Sequence, residues 1–224
     1  MAIKLEVAKA DLSFEAAFAQ PEFSLFQNTP VLLHHLFKRL EPHGLRLSDL
    51  RVERGGGSIA DHHVLCYLFG YWMTVRVRVE KIEVVCSDLP EQRVEKFKAA
   101  IQDVLKAVKD CRPELSFRAF ALAVGMHVKL SEQPVREYLA QFVSNTPAGL
   151  GASTGSGTVF YFGPEGDRLL SSITVDMSAV IPDATYLRLH AVWDAKKVAV
   201  DSLPAAADGF VRCAVEALGL QLPG

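Results

Sequence analysis

The fold is decided by residues 62–109, whose sequence is HHVLCYLFGYWMTVRVRVEKIEVVCSDLPEQRVEKFKAAIQDVLKAVK. Within it, apolar and polar residues alternate from Met73 to Val79, which is typical of a strand with one buried and one exposed face. Beyond Pro90 the apolar residues recur every three or four positions, as on an amphipathic helix. The predicted apolar stripe of this helix consists of Val94, Phe97, Ile101, Val104 and Val108. The segment therefore predicts strands followed by a long helix that packs across one face of an antiparallel sheet.

The composition is typical of a globular chain with a substantial core. Half of the 224 residues are apolar, and 24 basic residues nearly balance 26 acidic ones. Such a balance creates no overall field that would attract nucleic acid or an anionic membrane. No segment approaches the roughly 18 apolar residues that are needed to cross a bilayer. We therefore expect no nucleic-acid partner and no membrane association.

The cysteines and the N-terminal residues favour a cytoplasmic location. The four cysteines lie far apart and form no C-x-x-C pair; they are Cys66, Cys86, Cys111 and Cys213. This pattern is typical of free thiols in a reducing compartment, although Cys66 and Cys86 could face each other across neighbouring strands. Residues 1–7 alternate like a strand and lack the apolar run of a signal peptide.

Residues 1–112 are predicted to contain one strand, one helix, three strands and a final helix. A bulge near Glu80 would explain why the alternation changes phase after Val79. Asn28 or Thr29 is expected to cap the first helix after a loop over residues 21–28. In chain order, the elements are a strand over Ile3–Phe18, a helix over residues 30–41, strands over Leu45–Arg54, His62–Phe69 and 72–86, and a helix over Pro90–Lys109.

Residues 113–224 repeat this order. The predicted strands are Leu115–Leu130, Thr158–Phe162, Leu169–Ser178 and Thr185–Trp193, and helices begin at Ser131 and Asp201. The sequence thus predicts an α+β protein with two similar β-α-β-β-β-α halves, residues 1–112 and 113–224. Each half is a mostly antiparallel sheet with helices packed on one face. The halves form either two domains or one continuous domain.

Two resemblances accompany this element order. The tandem β-α-β(n)-α arrangement resembles the TATA-box-binding-protein-like, or helix-grip, folds, which implies a curved antiparallel sheet with helices on one face. The segment Lys9–Glu15 is similar to the first-strand motif of the bacterial export chaperone SecB, a tetrameric binder of unfolded chains. The predicted helix at residues 30–41 departs from the SecB pattern. Neither resemblance brings a functional motif, so neither implies a functional residue.

No set of residues in the sequence has the spacing of a catalytic or metal centre. His62 and Cys66 share a strand face, but four residues of strand separate them by about 13 Å, too far for one zinc ion. The glycine-rich segment 149–157 lies between a predicted helix and a strand, whereas phosphate-binding loops lead from a strand into a helix. We therefore expect no metal, no cofactor and no enzymatic activity, with a hydrolase or transferase as the remaining enzymatic alternative.

Two groups of residues are candidates for binding. Arg76 and Arg78 lie on the polar face of a predicted strand, where they could contact a partner or form cross-strand ion pairs in solvent; the interleaved glutamates favour ion pairs. Phe23, Leu25 and Phe26 follow no periodic pattern. These three apolar side chains either plug one end of the sheet or form a contact patch for another chain, and the plug is slightly favoured.

Two functions are compatible with this pattern. The first is a non-enzymatic interaction or assembly protein of the bacterial cytoplasm, which acts through a surface on a protein partner or on a second copy. The alternative is a binding module that holds an apolar small molecule or peptide between its sheet and helices. A filled core would favour the first function, and a cavity of several hundred cubic ångströms would favour the second.

Overall fold

The computed structural model describes residues 3–53, 61–90, 93–131, 133–142 and 157–222. These residues form an α+β fold in which helices pack on a sheet of ten strands. The strands are β1 Ile3–Phe18, β2 Leu50–Glu53, β3 His63–Leu68, β4 Met73–Arg78, β5 Lys81–Cys86, β6 Phe117–Leu130, β7 Thr158–Phe162, β8 Arg168–Met177, β9 Thr185–Asp194 and β10 Leu220–Gln221. The helices are α1 Ser24–Gln27, α2 Thr29–Leu40, α3 Val94–Cys111, α4 Val135–Ala140 and α5 Leu203–Ala217. None of the described helices is long and apolar enough to cross a membrane.

The two long strands β1 and β6 lie side by side at the centre of the sheet. The strand order is β2-β3-β4-β5-β1-β6-β9-β8-β7, and β10 pairs with the start of β1. All neighbours are antiparallel except β1 and β10. Each half of the chain therefore contributes its first strand to the centre and its later strands outwards in reverse order. The internal repeat itself, with its boundary at residue 112, stays a prediction.

The alternation of side chains divides the sheet into an apolar face and a polar face. On β4, Met73, Val75 and Val77 are fully buried, whereas Thr74, Arg76 and Arg78 are partly exposed. The apolar face carries the helices, and one core cluster contains residues from both halves of the chain. Helix α3 packs on α2, and an ion pair joins Arg39 of α2 to Asp110 of α3 at 2.7 Å. In the 3-10 turn that follows α2, the His43 ring forms a hydrogen bond of 2.7 Å with the Asp103 carboxylate of α3.

The predicted bulge near Glu80 is wrong. Val79 and Glu80 form the turn of a hairpin that joins β4 to β5, and Val77 pairs with Ile82 across it. The apolar alternation changes phase because the chain reverses direction here and both strands face the same core. The first half consequently contains four strands after its helix rather than three.

Several predicted boundaries also differ. The strand predicted to start at Leu45 begins at Leu50, because residues 47–49 form a 3-10 turn; Arg54 lies outside the described residues. The predicted loop over residues 21–28 contains helix α1, and the Asn28 side chain makes no capping hydrogen bond to α2. Helix α4 begins at Val135 rather than near Ser131, whose hydroxyl donates to the Lys4 carbonyl at 3.0 Å. Residues 143–156, which include most of the glycine-rich segment, are outside the described residues.

The possible pairing of Cys66 with Cys86 is also wrong. Cys66 lies on β3 and Cys86 on β5, and β4 separates these strands: Cys66 is opposite Val75, and Cys86 is opposite Met73. All four cysteines are free thiols.

Helix α3 presents its predicted face to the sheet, which gives a test of the packing. Phe97 is 3 % exposed, so Phe97→Ala is expected to lower the free energy of unfolding by about 3–5 kcal/mol. The control, Lys96→Ala, lies on the exposed side of the same helix and should change it by less than about 0.5 kcal/mol. Urea titration of the two variants makes the comparison. Equal losses would show that this face of α3 does not pack as described.

Candidate functional site

A large cleft lies between the apolar face of the central strands and helices α3 and α5. Its volume is about 810 Å³. Strands β1 and β6 form the floor with Leu12, Leu122, Val124 and Met126, and the helices form the walls. The side chains of these four residues are apolar and offer no hydrogen bond to a ligand. A space of this size is within the range of roughly 300–1,000 Å³ that ligand pockets occupy.

A bulge in β1 makes this floor continuous. The register of β1 against β6 shifts between Val7 and Lys9, so one extra residue enters β1 there. Before the shift Leu5 and Val7 face the core, and after it Ala10 and Leu12 do. Without the extra residue, strict alternation would turn one of these pairs to the polar face. The bulge therefore keeps apolar residues of β1 on the core side both before and after the shift.

Helix α5 leaves space above the floor because it presents small side chains there. Leu203, Ala207 and Val211 are spaced by four residues, so they share one side of the helix, and all three line the cleft. On the opposite wall, α3 contributes Phe97 and Ile101. The short Ala207 side chain in the middle of the α5 row does not fill the gap. The short residue in the middle of this row is visible in the sequence. That it leaves space can be recognised only when the distance between α3 and α5 is known.

An ion pair joins the two helices at the rim of the cleft. The Lys98 ammonium of α3 lies 2.7 Å from the Asp208 carboxylate of α5 and 2.8 Å from Glu95. Burial by itself disfavours the charged ammonium, but the hydrogen bonds and charges of Asp208 and Glu95 outweigh it and raise the pKa of Lys98. Charge therefore collects at the entrance, while the interior stays apolar.

Trp72 stands at one end of the cleft. Its ring lines the space and is 37 % exposed, and the Arg93 guanidinium lies over it, 3.3 Å from the ring centroid. A cation so close to an indole face is attracted by the ring quadrupole. The second tryptophan, Trp193, is 3 % exposed in the core. A ligand in the cleft would therefore change the fluorescence of Trp72 far more than that of Trp193.

The predicted binding residues Arg76 and Arg78 lie on the opposite, polar face of the sheet. Both contact Glu83 on β5, at 3.4 Å for Arg76 and 3.1 Å for Arg78. The Lys81 ammonium lies between two carboxylates, 2.8 Å from Glu83 and 2.7 Å from Glu15. Burial would raise the pKa of Glu83, but the hydrogen bond from Lys81 and the three neighbouring cations lower it. Both arginines thus form the cross-strand ion pairs that the sequence favours. Their contact with a partner stays a prediction.

The three loop residues Phe23, Leu25 and Phe26 do not act as one patch. Leu25 is 1 % exposed and belongs to the core, and Phe26 is half-buried against it. Phe23 is 45 % exposed. The geometry of Leu25 and Phe26 is that of the predicted plug, since α1 lies at the end of β1 and the Glu22 amide donates to the Val79 carbonyl at 2.8 Å. Phe23 alone is available to contact another chain.

The histidines and cysteines are dispersed. Among the described residues no three His, Cys, Asp or Glu side chains converge as metal ligands; His63 contacts Glu53 at 3.1 Å, away from buried Cys66. Burial raises the pKa of the Cys66 thiol to about 12. Burial, together with the negative charge of Asp11, raises that of Cys86 to about 11. Both thiols are therefore protonated near neutral pH and are poor nucleophiles.

One serine–histidine contact has no counterpart in the sequence-based predictions. The Nδ1 atom of His127 lies 2.8 Å from the Ser178 hydroxyl. That oxygen also accepts the amide N–H groups of Val180 and Ile181, at 3.2 Å and 2.8 Å. Because its lone pairs already accept two hydrogen bonds, the serine organises the turn after β8 rather than presenting a free nucleophile.

Comparison with known proteins does not assign the chain to a family. No protein-family model matches it, and no curated protein does. Among solved structures, it is similar to a rolling circle replication initiator protein from Geobacillus stearothermophilus, with 13 % identity, a TM-score of 0.39 and coverage of 96 % of this chain and 84 % of that one. It is also similar to a TBP from Methanococcus jannaschii, with 11 % identity, a TM-score of 0.29 and coverage of 93 % and 97 %. Both likenesses are weak.

The ion network on the polar face makes the stability depend on pH. The folded-state pKa of Glu83 is lowered, so its carboxylate stabilises the fold above the unfolded pKa of about 4.3, and this contribution is lost as the pH falls through the folded value. Glu83→Gln is therefore expected to destabilise more at pH 7 than at pH 3.5. Urea titrations of the wild type and the variant at both pH values measure the difference. The same loss at both pH values would contradict the assignment.

Proposed function

We propose that this protein binds an apolar ligand, a small molecule or a peptide, in the cleft between the central strands and helices α3 and α5. The observation that carries the proposal is the size and lining of that space, about 810 Å³ over a floor of Leu12, Leu122, Val124 and Met126. A filled core at this place would have favoured a surface function instead. Burying apolar area contributes roughly 25 cal/mol per Å², so an apolar ligand would gain from entering.

Charged side chains stand at the rim of the cleft. Lys98 and Asp208 form a salt bridge between the two helices, and Trp72 with Arg93 closes one end. A partly exposed salt bridge contributes little to stability and can open at small cost. The ligand would thus pass polar groups at the entrance and contact apolar side chains inside. Such a binding role needs no metal, cofactor or catalytic group.

Filling the cleft tests the proposal. Ala207→Phe puts a ring on the wall that faces the floor, whereas the control Ala205→Phe puts the same ring on the exposed side of α5. The probe is the apolar dye N-phenyl-1-naphthylamine, followed by its own fluorescence and by that of Trp72. We expect saturable binding to the wild type and to Ala205→Phe, and a dissociation constant raised at least about tenfold, or ~1.4 kcal/mol, in Ala207→Phe. Absence of saturable binding to the wild type would refute the proposal, as would equal affinities of the two variants.

A second candidate function is self-association through the sheet edge, as expected of an assembly protein. Among the described residues, strand β7 ends the sheet and carries no charged residue; Val159 and Tyr161 are exposed on one face, and Phe162 is exposed on the other. The other edge, β2, carries Arg51 and Glu53, which are the kind of charges that protect an edge from pairing. Two copies of β7 could pair antiparallel about a two-fold axis. The interaction or assembly role and the cytoplasmic location both stay predictions.

A charge introduced on β7 tests self-association independently of ligand binding in the cleft. Tyr161 is 82 % exposed, and Tyr161→Lys would place two cations near the axis of a β7–β7 pair. Light scattering should show a concentration-dependent increase in mass for the wild type, which is abolished in Tyr161→Lys. The control Val52→Lys, on the opposite edge, should behave like the wild type. A wild-type protein that remains monomeric at all concentrations would exclude this function without affecting ligand binding.

A further inference from the structure

The strand β1 has a stretch of unpaired edge that opens on the cleft. On one side β1 pairs with β6 from Leu5 to Phe18. On the other side it pairs with β5 only from Leu12 to Ala17, and with β10 only at Ile3 and Lys4. The Leu89 amide caps the Ala10 carbonyl at 2.8 Å. Between Leu5 and Lys9, no strand of the described residues pairs with this side.

The backbone groups of Val7 point to this unpaired side. The Ile3 amide donates to Gly219 on the β10 side, whereas the Lys4 carbonyl accepts from Ser131 on the β6 side. Successive residues of a strand alternate in this respect, so Leu5 and Val7 direct their N–H and C=O groups away from β6. The bulge follows Val7, and Ala10 again directs its groups to the same side. The amide and carbonyl of Val7 are thus a donor and an acceptor at an open edge.

The unpaired edge and the apolar cleft are contiguous. Every residue from Leu5 to Ala10 lines the cleft, and Leu89 and Leu222 line it beyond the two ends of the stretch. An apolar small molecule would cover the Val7 backbone without satisfying it, and a dry, unsatisfied amide costs free energy. A peptide main chain satisfies both groups, while every second side chain enters the apolar space.

We propose that the occupant of the cleft is an extended segment of another polypeptide, which adds as a strand to the edge of β1 over Leu5–Lys9. This inference rests on the proposed function and names its ligand class. The stretch is about 16 Å long, enough for five residues of strand. The segment would direct apolar side chains at alternate positions towards Leu12 and Phe97. The side chains at the intervening positions would face Glu6 and Lys9. Because these two residues carry opposite charges, they would not favour a segment of either net charge.

The test removes the hydrogen-bond donor and keeps the apolar surface. Val7→Pro deletes the amide N–H at the open edge, where proline breaks no bond of the β1–β6 ladder. The matched control Val7→Ala keeps the N–H and loses apolar side-chain atoms. The probe is a labelled, blocked heptapeptide with the sequence Ser-Val-Thr-Leu-Thr-Val-Ser, followed by fluorescence anisotropy. We expect Val7→Pro to weaken peptide binding at least about tenfold and Val7→Ala to weaken it less than about threefold, as loss of a buried hydrogen bond implies.

Two further measurements keep the outcomes distinct. N-phenyl-1-naphthylamine should bind Val7→Pro and the wild type equally, because it uses only the apolar space. The peptide methylated on its backbone nitrogens should bind the wild type at least about tenfold more weakly, which gives the same answer if Val7→Pro does not fold. Dye binding without peptide binding, or equal affinity of the methylated peptide, would overturn the strand-addition proposal and leave the cleft as a small-molecule site. Absence of binding of both probes would overturn the proposed function as well.

Discussion

The antiparallel pairing of β1 with β6 is the contact on which the rest of the structure depends. It joins the two halves of the chain into one sheet, with a register that runs from Leu5 opposite Leu130 to Phe18 opposite Phe117. On the apolar face, Phe14 stacks on Phe120 with ring centroids 6.2 Å apart, so side-chain packing fixes the same register as the backbone hydrogen bonds. A slip of β1 by one residue would turn Phe14 to the opposite face of the sheet and break this stack.

This central pair also determines where the structure is open. Helices α3 and α5 belong to different halves of the chain, and each covers its own side of the apolar face. The space between them lies above the strands that join the halves. Since β5 and β10 each cover only part of the outer edge of β1, the same region combines an apolar floor with a stretch of backbone that no strand of the described residues pairs. The proposed ligand binding and the proposed strand addition both depend on this one region, where the helices leave a space and the edge of β1 is only partly covered.

The elements that could be predicted were those with a strong local period. Strands β1 and β7 are predicted at their observed bounds, because alternation is a property of neighbouring residues. The predicted helix over Pro90–Lys109 has the observed apolar face, but α3 runs from Val94 to Cys111. A bulge and the hairpin turn at Glu80 cannot be distinguished in the sequence, since either feature reverses the phase of the alternation. For a similar reason, the sequence does not show that Leu25 is buried and Phe23 exposed. Two apolar residues of one short segment have the same local pattern, and only the sheet end that covers Leu25 distinguishes them.

From the sequence, a binding site between the sheet and the helices could be predicted only as the alternative to a function of the protein surface. Its width depends on how far α3 lies from α5, and the ion pair that joins them links Lys98 to Asp208, which are 110 residues apart in the chain. No local pattern encodes such a distance. The small Ala207 is visible in the sequence, but it is compatible with a fully packed core, and the bulge at Val7 is seen only in the pairing of β1 with β6. Tertiary packing alone makes them parts of a cleft.

The most direct test of this account is the hydrogen exchange of two amides of β1, measured by NMR on the unliganded protein. Phe14 directs its amide to β5, within the paired part of the strand, and Val7 directs its amide to the unpaired edge. Exchange of a paired core amide requires a large opening of the structure, whereas an amide at an open edge exchanges from the native state. Val7 is expected to exchange at least about a hundredfold faster than Phe14, after correction for intrinsic rates. Equal protection of the two amides would mean that the edge of β1 is closed, and would contradict this account.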